Sequence, residues 1–288
     1  MKVVCLVDGS APTLYFTNKV NEKIPLSLVV IHDNSHLKTS KNRKRRFKTM
    51  LTEYGILVTL KFILRFLKSQ FKNTTDPENY EKYFDKEDID LDEKIPAIYK
   101  NINSESTYKT LKEINPDLIV IHGGPIVKDE ILTTAKLALN LHWGLSPYYR
   151  GSNCTQWALI NWDPYNIGVT IHKATKDIDG GEILAQKRAK ITEEDNITSI
   201  NTQLTKLGTQ LVLNIIEKIE RNENLKFRHQ DFGLGYMTYM RQWSMHLDDQ
   251  IIYIEQHKLI AKALKYPSRK GTLPIVEIEM LSAAEQFS

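Results

Sequence analysis

The sequence predicts an α/β chain: a doubly wound, mostly parallel sheet with a helical insertion and a small mixed C-terminal extension. Apolar runs of strand length end in small turn residues, as at Val3–Val7 before Asp8-Gly9-Ser10 and Leu118–His122 before Gly123-Gly124-Pro125. Such runs mark strands buried on both faces. Helical stretches alternate with them, so the chain opens β-α-β, the unit of a doubly wound sheet.

Taken in order, Val3–Val7 is the first strand, residues 13–21 a helix, and the apolar run within 26–33 the second strand. Residues 36–94 break the rhythm and read as a large insertion. They begin with Lys38, Lys41, Arg43, Lys44, Arg45, Arg46 and Lys48. Ile56, Leu57, Leu60, Ile63, Leu64 and Leu67 then recur at helical spacing, with Lys61, Arg65 and Lys68 between them, which gives an amphipathic helix. The acidic stretch 76–94 reads as solvated. A short strand is predicted over 95–99. Ser104 can cap a helix that carries Leu111 and Ile114 on its apolar side. Asn115-Pro116-Asp117 ends it. After the strand Leu118–His122 come a helix over 126–136, the strand Leu137–His142, a helix over 154–162, strands over 167–173 and 183–191, and a long amphipathic helix over 197–219. Past about residue 220 the signals weaken, and residues 275–280 alternate as a strand does. The whole is of the Rossmann-like kind. It divides into a core of 1–220, which holds the insertion at about 36–94, and an extension of 221–288.

The bulk properties restrict function. There are 39 basic and 35 acidic residues, a net charge of +4, which does not by itself imply nucleic acid. Cys5 and Cys154 offer no disulfide framework, and no Cys or His cluster has the spacing of a zinc site. A reducing, cytoplasmic setting is expected. The N-terminal apolar run is too short for a signal peptide, and none reaches the ~20 residues that span a bilayer.

The chemistry lies in the middle of the chain. Asn140 and His142 are two apart on a predicted strand, so both face one side, at the C-terminal rim where open α/β sheets bind ligands. Gly144 and Pro147 force a defined loop after them. Asp179 follows a later strand and precedes Gly180-Gly181, where Asp177 or Asp179 would equally serve turn chemistry. An amide, an imidazole and a carboxylate suit acyl transfer to an amine. Asn140 can donate two hydrogen bonds to a developing oxyanion, and His142 can take or give a proton. A neighbouring Asp179 would raise the histidine's pKa and fix its ring.

At these residues the chain resembles the 10-formyltetrahydrofolate-dependent formyltransferase superfamily. The likeness rests on Asn140-Leu141-His142, Leu145-Ser146-Pro147, Arg150-Gly151 and Asp179-Gly180, with Gln156-Trp157-Ala158 and Gly168 to Ile171 in support. It is strong over about 95–195, topological over 1–35, and absent over the insertion and the tail. It implies that Asn140, His142 and Asp179 carry catalysis. It also implies that the pteridine of the folate lies against the loop Thr175, Asp177, Asp179, with its other side on Gly124, Ile126 and Ile131. The folate is the donor and no metal is implied. Superfamily members commonly have His-Pro-Ser where this chain has His142-Trp143-Gly144, a departure that reshapes the acceptor side.

Three acceptors are known for the superfamily: glycinamide ribonucleotide, methionyl-tRNA and nucleotide-linked amino sugars. The turn Asp8-Gly9-Ser10-Ala11-Pro12 is a poor phosphate cradle, having one glycine and an added carboxylate. The tail is short for the β-barrel of the tRNA enzymes, although the basic stretch 38–48 keeps tRNA open. DNA is not expected. A nucleotide-linked amino sugar of surface-glycan biosynthesis is therefore the expected acceptor, with the basic stretch as a candidate for its diphosphate. Tyr148 and Trp157 stack on a ring or pack locally with equal weight. Tyr236, Met237, Tyr239 and Met240 read as core or a homodimer face. Outside this class stand a scaffold that binds folate or nucleotide without turnover, and attachment to a membrane surface through the basic stretch and the helix near 56–67.

Overall fold

A computed structural model describes residues 1–33, 56, 80–242, 245–266 and 273–277. The basic stretch and, apart from Ile56, the amphipathic helix expected over 56–67 lie outside the described residues. So do residues 278–280 of the expected last strand.

Seven strands form one sheet in the order β3-β2-β1-β4-β5-β7-β8. They are β1 Val3–Val7, β2 Leu28–His32, β3 Ala97–Lys100, β4 Leu118–His122, β5 Leu137–His142, β7 Gly168–Lys173 and β8 Ile183–Arg188. The first five run parallel, and β7 is antiparallel to both its neighbours. The sheet is thus the mostly parallel, doubly wound one that the apolar runs predict. Strand order reverses between β1 and β4, which opens a crevice at their C-terminal ends.

Alternation along β1 explains the two layers. Val3, Cys5 and Val7 face one core cluster with Phe16 and Val20 of α1 (Ala11–Lys23) and Leu204, Val212 and Ile215 of α6 (Ile197–Glu220). Val4 and Leu6 face the other, with Leu111 of α3 (Glu105–Ile114) and Ile131. Side chains of period two on a strand require a layer on each side. Cys5 and Cys154 are both buried free thiols. Among the described residues no helix is long and apolar enough to cross a membrane.

Three expectations change. The acidic stretch is not simply solvated. Tyr80, Phe84 and Ile89 are buried and pack with Ala11, and Asn18 of α1 donates to the carbonyls of Asp88 (3.0 Å) and Asp90 (2.7 Å) beside the short α2 (Lys86–Ile89). The helix expected over 126–136 is a single turn, α4 (Asp129–Leu132). Asn103 pins its entry, bonding the Ile126 carbonyl and the Lys128 amide at 2.8 Å each. The Lys136 and Leu137 amides turn instead to the carbonyls of Pro116 and Asp117. Residues 275–277 form no sheet strand. The Val276 amide bonds the Gln186 side chain at 3.0 Å, and its carbonyl takes the Gln186 amide at 2.6 Å.

Candidate active site

β5 delivers Asn140 and His142 to one face of its C-terminal end, and the chain then turns through Gly144 and a cis Ser146–Pro147 peptide. Thr170 of β7 fixes that loop. Its hydroxyl donates to the Gly144 carbonyl (2.6 Å) and accepts from the Ser146 amide (3.0 Å) and from Gln186 (2.9 Å). The loop returns as β6 (Tyr149–Gly151) and leads into α5 (Cys154–Ile160). The Tyr149 hydroxyl donates to Asp163 at 2.8 Å, which anchors β6 from behind.

Asp179 closes the site from the loop between β7 and β8. It adopts φ +46, a left-handed conformation that costs a residue with a Cβ and persists where the surroundings enforce it. Its carboxylate supplies the reason. Oδ1 accepts from the Asn140 amide at 3.0 Å, and Oδ2 accepts from the Gly151 backbone amide at 2.8 Å. His142 Nδ1 stands 3.3 Å from Oδ2, and His172 Nε2 stands 3.4 Å from Oδ1. The three residues expected to meet do meet, and His172 is a fourth that sequence reasoning passed over. The register pairs Asn140 with His172 across β5 and β7, a fact that local spacing does not contain.

Tautomers follow from the partners. His172 Nδ1 lies 2.7 Å from the Lys173 carbonyl and donates to it, which leaves Nε2 to accept from Asn140 at 3.1 Å. Both amide hydrogens of Asn140 are therefore engaged, one on Asp179 and one on His172. Burial works against an ionised Asp179, but His142, His172 and the Gly151 amide outweigh it and hold the carboxyl well below the usual range. Each nitrogen of His142 faces an oxygen: Nδ1 faces Asp179 and Nε2 the Tyr149 carbonyl at 3.0 Å. Burial nonetheless pushes its pKa down, and Asp179 recovers part of that loss. The expected upward shift is thus corrected, because desolvation exceeds the pull of one carboxylate here.

These groups line a cleft of about 570 Å3 that runs from the β1–β4 crevice to the Asp179 loop. Of the residues expected at the folate, Gly124, Ile126, Thr175, Asp177 and Asp179 line it. Ile131 does not: it is fully buried in the core beneath, and Val127 and Leu132 supply the apolar wall in its place. The residues present fit a flat heteroaromatic ring. Ile126 stands 57% exposed at the mouth, and Gly124, at φ +88, brings bare backbone to the edge.

One open alternative is decided towards local packing and one expectation is corrected. Tyr148 is buried in the core, and neither it nor Trp157 lines the cleft. The tail, by contrast, contributes Thr238, Tyr239 and Met240 to the cleft wall. It does so because β9 (Tyr236–Thr238) pairs with β6. Gln230 also reaches the Asp179 loop, donating to the Asp179 carbonyl at 2.8 Å.

The chain is similar to known formyltransferases in sequence and in fold. Residues 81–216 match the family model described as Formyl transferase. Methionyl-tRNA formyltransferase of Sulfurihydrogenibium sp. (strain YO3AOP1) is 33% identical over 123 residues, which cover 42% of this chain and 39% of that protein. The bifunctional polymyxin resistance protein ArnA of Wigglesworthia glossinidia brevipalpis is 37% identical over 136 residues, 46% of this chain and 21% of that protein. The chain thus spans less than half the length of the curated relatives it matches. A sugar N-formyltransferase from Shewanella sp FDAARGOS_354 shares the fold with a TM-score of 0.52 at 16% identity, over 98% of this chain and 99% of that one.

Proposed function

We propose that this chain, whose residues 81–216 form a domain of the formyltransferase superfamily, moves a formyl group from 10-formyltetrahydrofolate to a primary amine, that of a nucleotide-linked amino sugar. One observation carries the transfer: Asn140, His142 and His172 converge on the buried carboxylate of Asp179 at the rim of the sheet. The folate supplies an activated one-carbon unit, and the protein's part is to hold reactants and handle charge and protons. Gly124, Ile126, Val127 and the loop Thr175 to Asp179 would hold the ring.

The resting bonds support a role for each residue. An attacking amine must lose a proton, and the carbonyl oxygen it attacks gathers negative charge. In the tautomer set by its partners, His172 Nε2 carries a lone pair, and it faces Asn140 and Asp179. Once protonated it can no longer accept from Asn140 and donates to Asp179 instead. One Asn140 N–H is then free to bond the forming oxyanion. Proton uptake and oxyanion stabilisation are coupled in this way through the Asp179 carboxylate, with His142 holding its other oxygen, and as the bond from the formyl carbon to the folate nitrogen breaks, the proton held at His172 Nε2 passes to that nitrogen.

The sugar acceptor is supported by the carboxylate at the β1 turn, which suits the phosphate of a ribonucleotide poorly, and by a fold match to the Shewanella sugar enzyme along nearly the whole of both chains. The sequence relatives named for methionyl-tRNA favour the rival acceptor. The test is formyl-folate turnover with nucleotide-linked amino sugars, glycinamide ribonucleotide and charged initiator tRNA offered in parallel. Product with an amino sugar is expected. Asn140→Ala should cut kcat by roughly 100- to 1,000-fold, ~3–4 kcal/mol, with the fold intact. Full rate in that variant would remove the catalytic assignment, and turnover with tRNA alone would transfer the acceptor.

A further inference from the structure

The end of the cleft away from the Asp179 loop carries chemistry that formyl transfer does not use. Asp8 follows β1 and stands exposed at the start of α1. Its Oδ1 takes three donors: the Ser10 amide (2.9 Å), the Ser10 hydroxyl (2.7 Å) and the Thr13 hydroxyl (3.0 Å). A helix start that would otherwise invite an anion is thus already held by a carboxylate of the chain itself. Beside it, at the end of β4, His122 is 4% exposed and lines the cleft. Its Nδ1 donates to the Leu141 carbonyl at 3.3 Å, which makes Nε2 an acceptor, and Nε2 has no partner among the described residues. The half-buried Trp143 packs edge-on against His122, ring centroids 5.5 Å apart, and its indole N–H also lacks a partner there. Buried polar atoms left unsatisfied call for an explanation, and a bound ligand is one.

The charge of the cleft points the same way. Its described lining holds Asp8, Asp177 and Asp179 and no lysine or arginine. A phosphate monoester offers acceptors almost alone, so it would meet the Asp8 carboxylate and leave His122 Nε2 unpaired. A ring hydroxyl both donates and accepts. Hydroxyls can therefore serve Asp8 and His122 as donors and Trp143 as an acceptor.

We propose that Asp8, His122 and Trp143 form an acceptor subsite that receives a hydroxylated, unphosphorylated ring and turns phosphate away. The subsite rests on the reading of this cleft as the place of formyl transfer. It deepens that reading: the amine enters on a neutral sugar ring, and any phosphate of the acceptor stays outside the described walls.

The test is a titration of the full chain, with 15N in its histidine and tryptophan side chains, by D-glucosamine, methyl glucoside, inorganic phosphate and ribose 5-phosphate. The two sugars should move the His122 Nε2 and Trp143 Nε1 resonances saturably, and the two phosphates should move neither at equal concentration. Asp8→Asn should raise the Kd for glucosamine at least tenfold. Trp143→Phe keeps the packing and should raise it about threefold while His122 still responds. Phosphate moving these signals, sugars leaving them still, or unchanged affinity in both variants would overturn the subsite. The readout needs no turnover, so the two readings fail separately. Sugar binding here without formylation of any amine removes the formyl-transfer reading alone. Formylation of an amino sugar with an unmoved His122 removes the subsite alone.

Discussion

Burial decides the state of two histidines at the centre of this molecule. The His122 pKa is pushed down to about 4 from 6.5, first by desolvation, with Asp8 pulling the other way. Between those values the unfolded chain binds a proton that the folded chain refuses. Stability is therefore greatest above pH 6.5 and falls as pH drops towards 4. The depressed His142 acts in the same direction. Asp179 has its own window: its lowered pKa stabilises the fold above the ordinary carboxylate range and is lost only as pH falls through the depressed value. Urea midpoints should thus drop steadily from pH 7 to pH 4.5, and His122→Gln should flatten that slope. An equal slope in the variant would place the titration elsewhere. At this scale the sequence shows Asn140, His142 and Asp179, because their spacing and type are local. It does not show His172, whose part depends on facing Asn140 across two strands.

The elements are held by their ends. Asn196 caps α6 by accepting from the Ser199 amide at 3.0 Å, while the Ser199 hydroxyl accepts from the Asn196 amide at 2.9 Å. Asn196 also donates to the Tyr83 hydroxyl at 3.0 Å, which ties the helix to residues 80–84. Asn196→Ala should therefore lower stability by roughly 1–2 kcal/mol in equilibrium unfolding, at the upper end of single caps. Ser104 caps α3 as its position suggested, accepting from the Thr107 amide at 3.2 Å. Helix α4 shows the limit of such reading. Its pattern supports a longer helix, yet Asn103 and the Pro116–Asp117 carbonyls claim the flanking backbone. The stretch near Tyr80 and Phe84 fails for a related reason: a high charge density hides two aromatics that α1 buries.

Across the whole molecule, the tail and the catalytic loop are one construction. Gly151 sits at φ +93, where an added Cβ would lie 1.8 Å from the Thr238 carbonyl oxygen. Its amide also holds Asp179. Gly151→Ala should force β6 from β9, lower stability by about 2 kcal/mol or more, and depress formylation well beyond that loss. Thermal unfolding and turnover measured on the same preparation check this, and a variant with both unchanged would show that the β6–β9 contact does not position the carboxylate. The sequence by itself determined the alternation of strands and helices, the two-sided burial of β1 and β4, and the polar residues at the end of β5. All of these are written locally, in unbroken apolar runs or in periods of two or about four residues. The tertiary structure alone decided that His172 joins the site, that Ile131 lies beneath the cleft, that Thr238, Tyr239 and Met240 wall it, and that burial outweighs Asp179 in setting the His142 proton. Each of those depends on register, desolvation or contact between residues distant in the chain, and a local pattern carries no record of them.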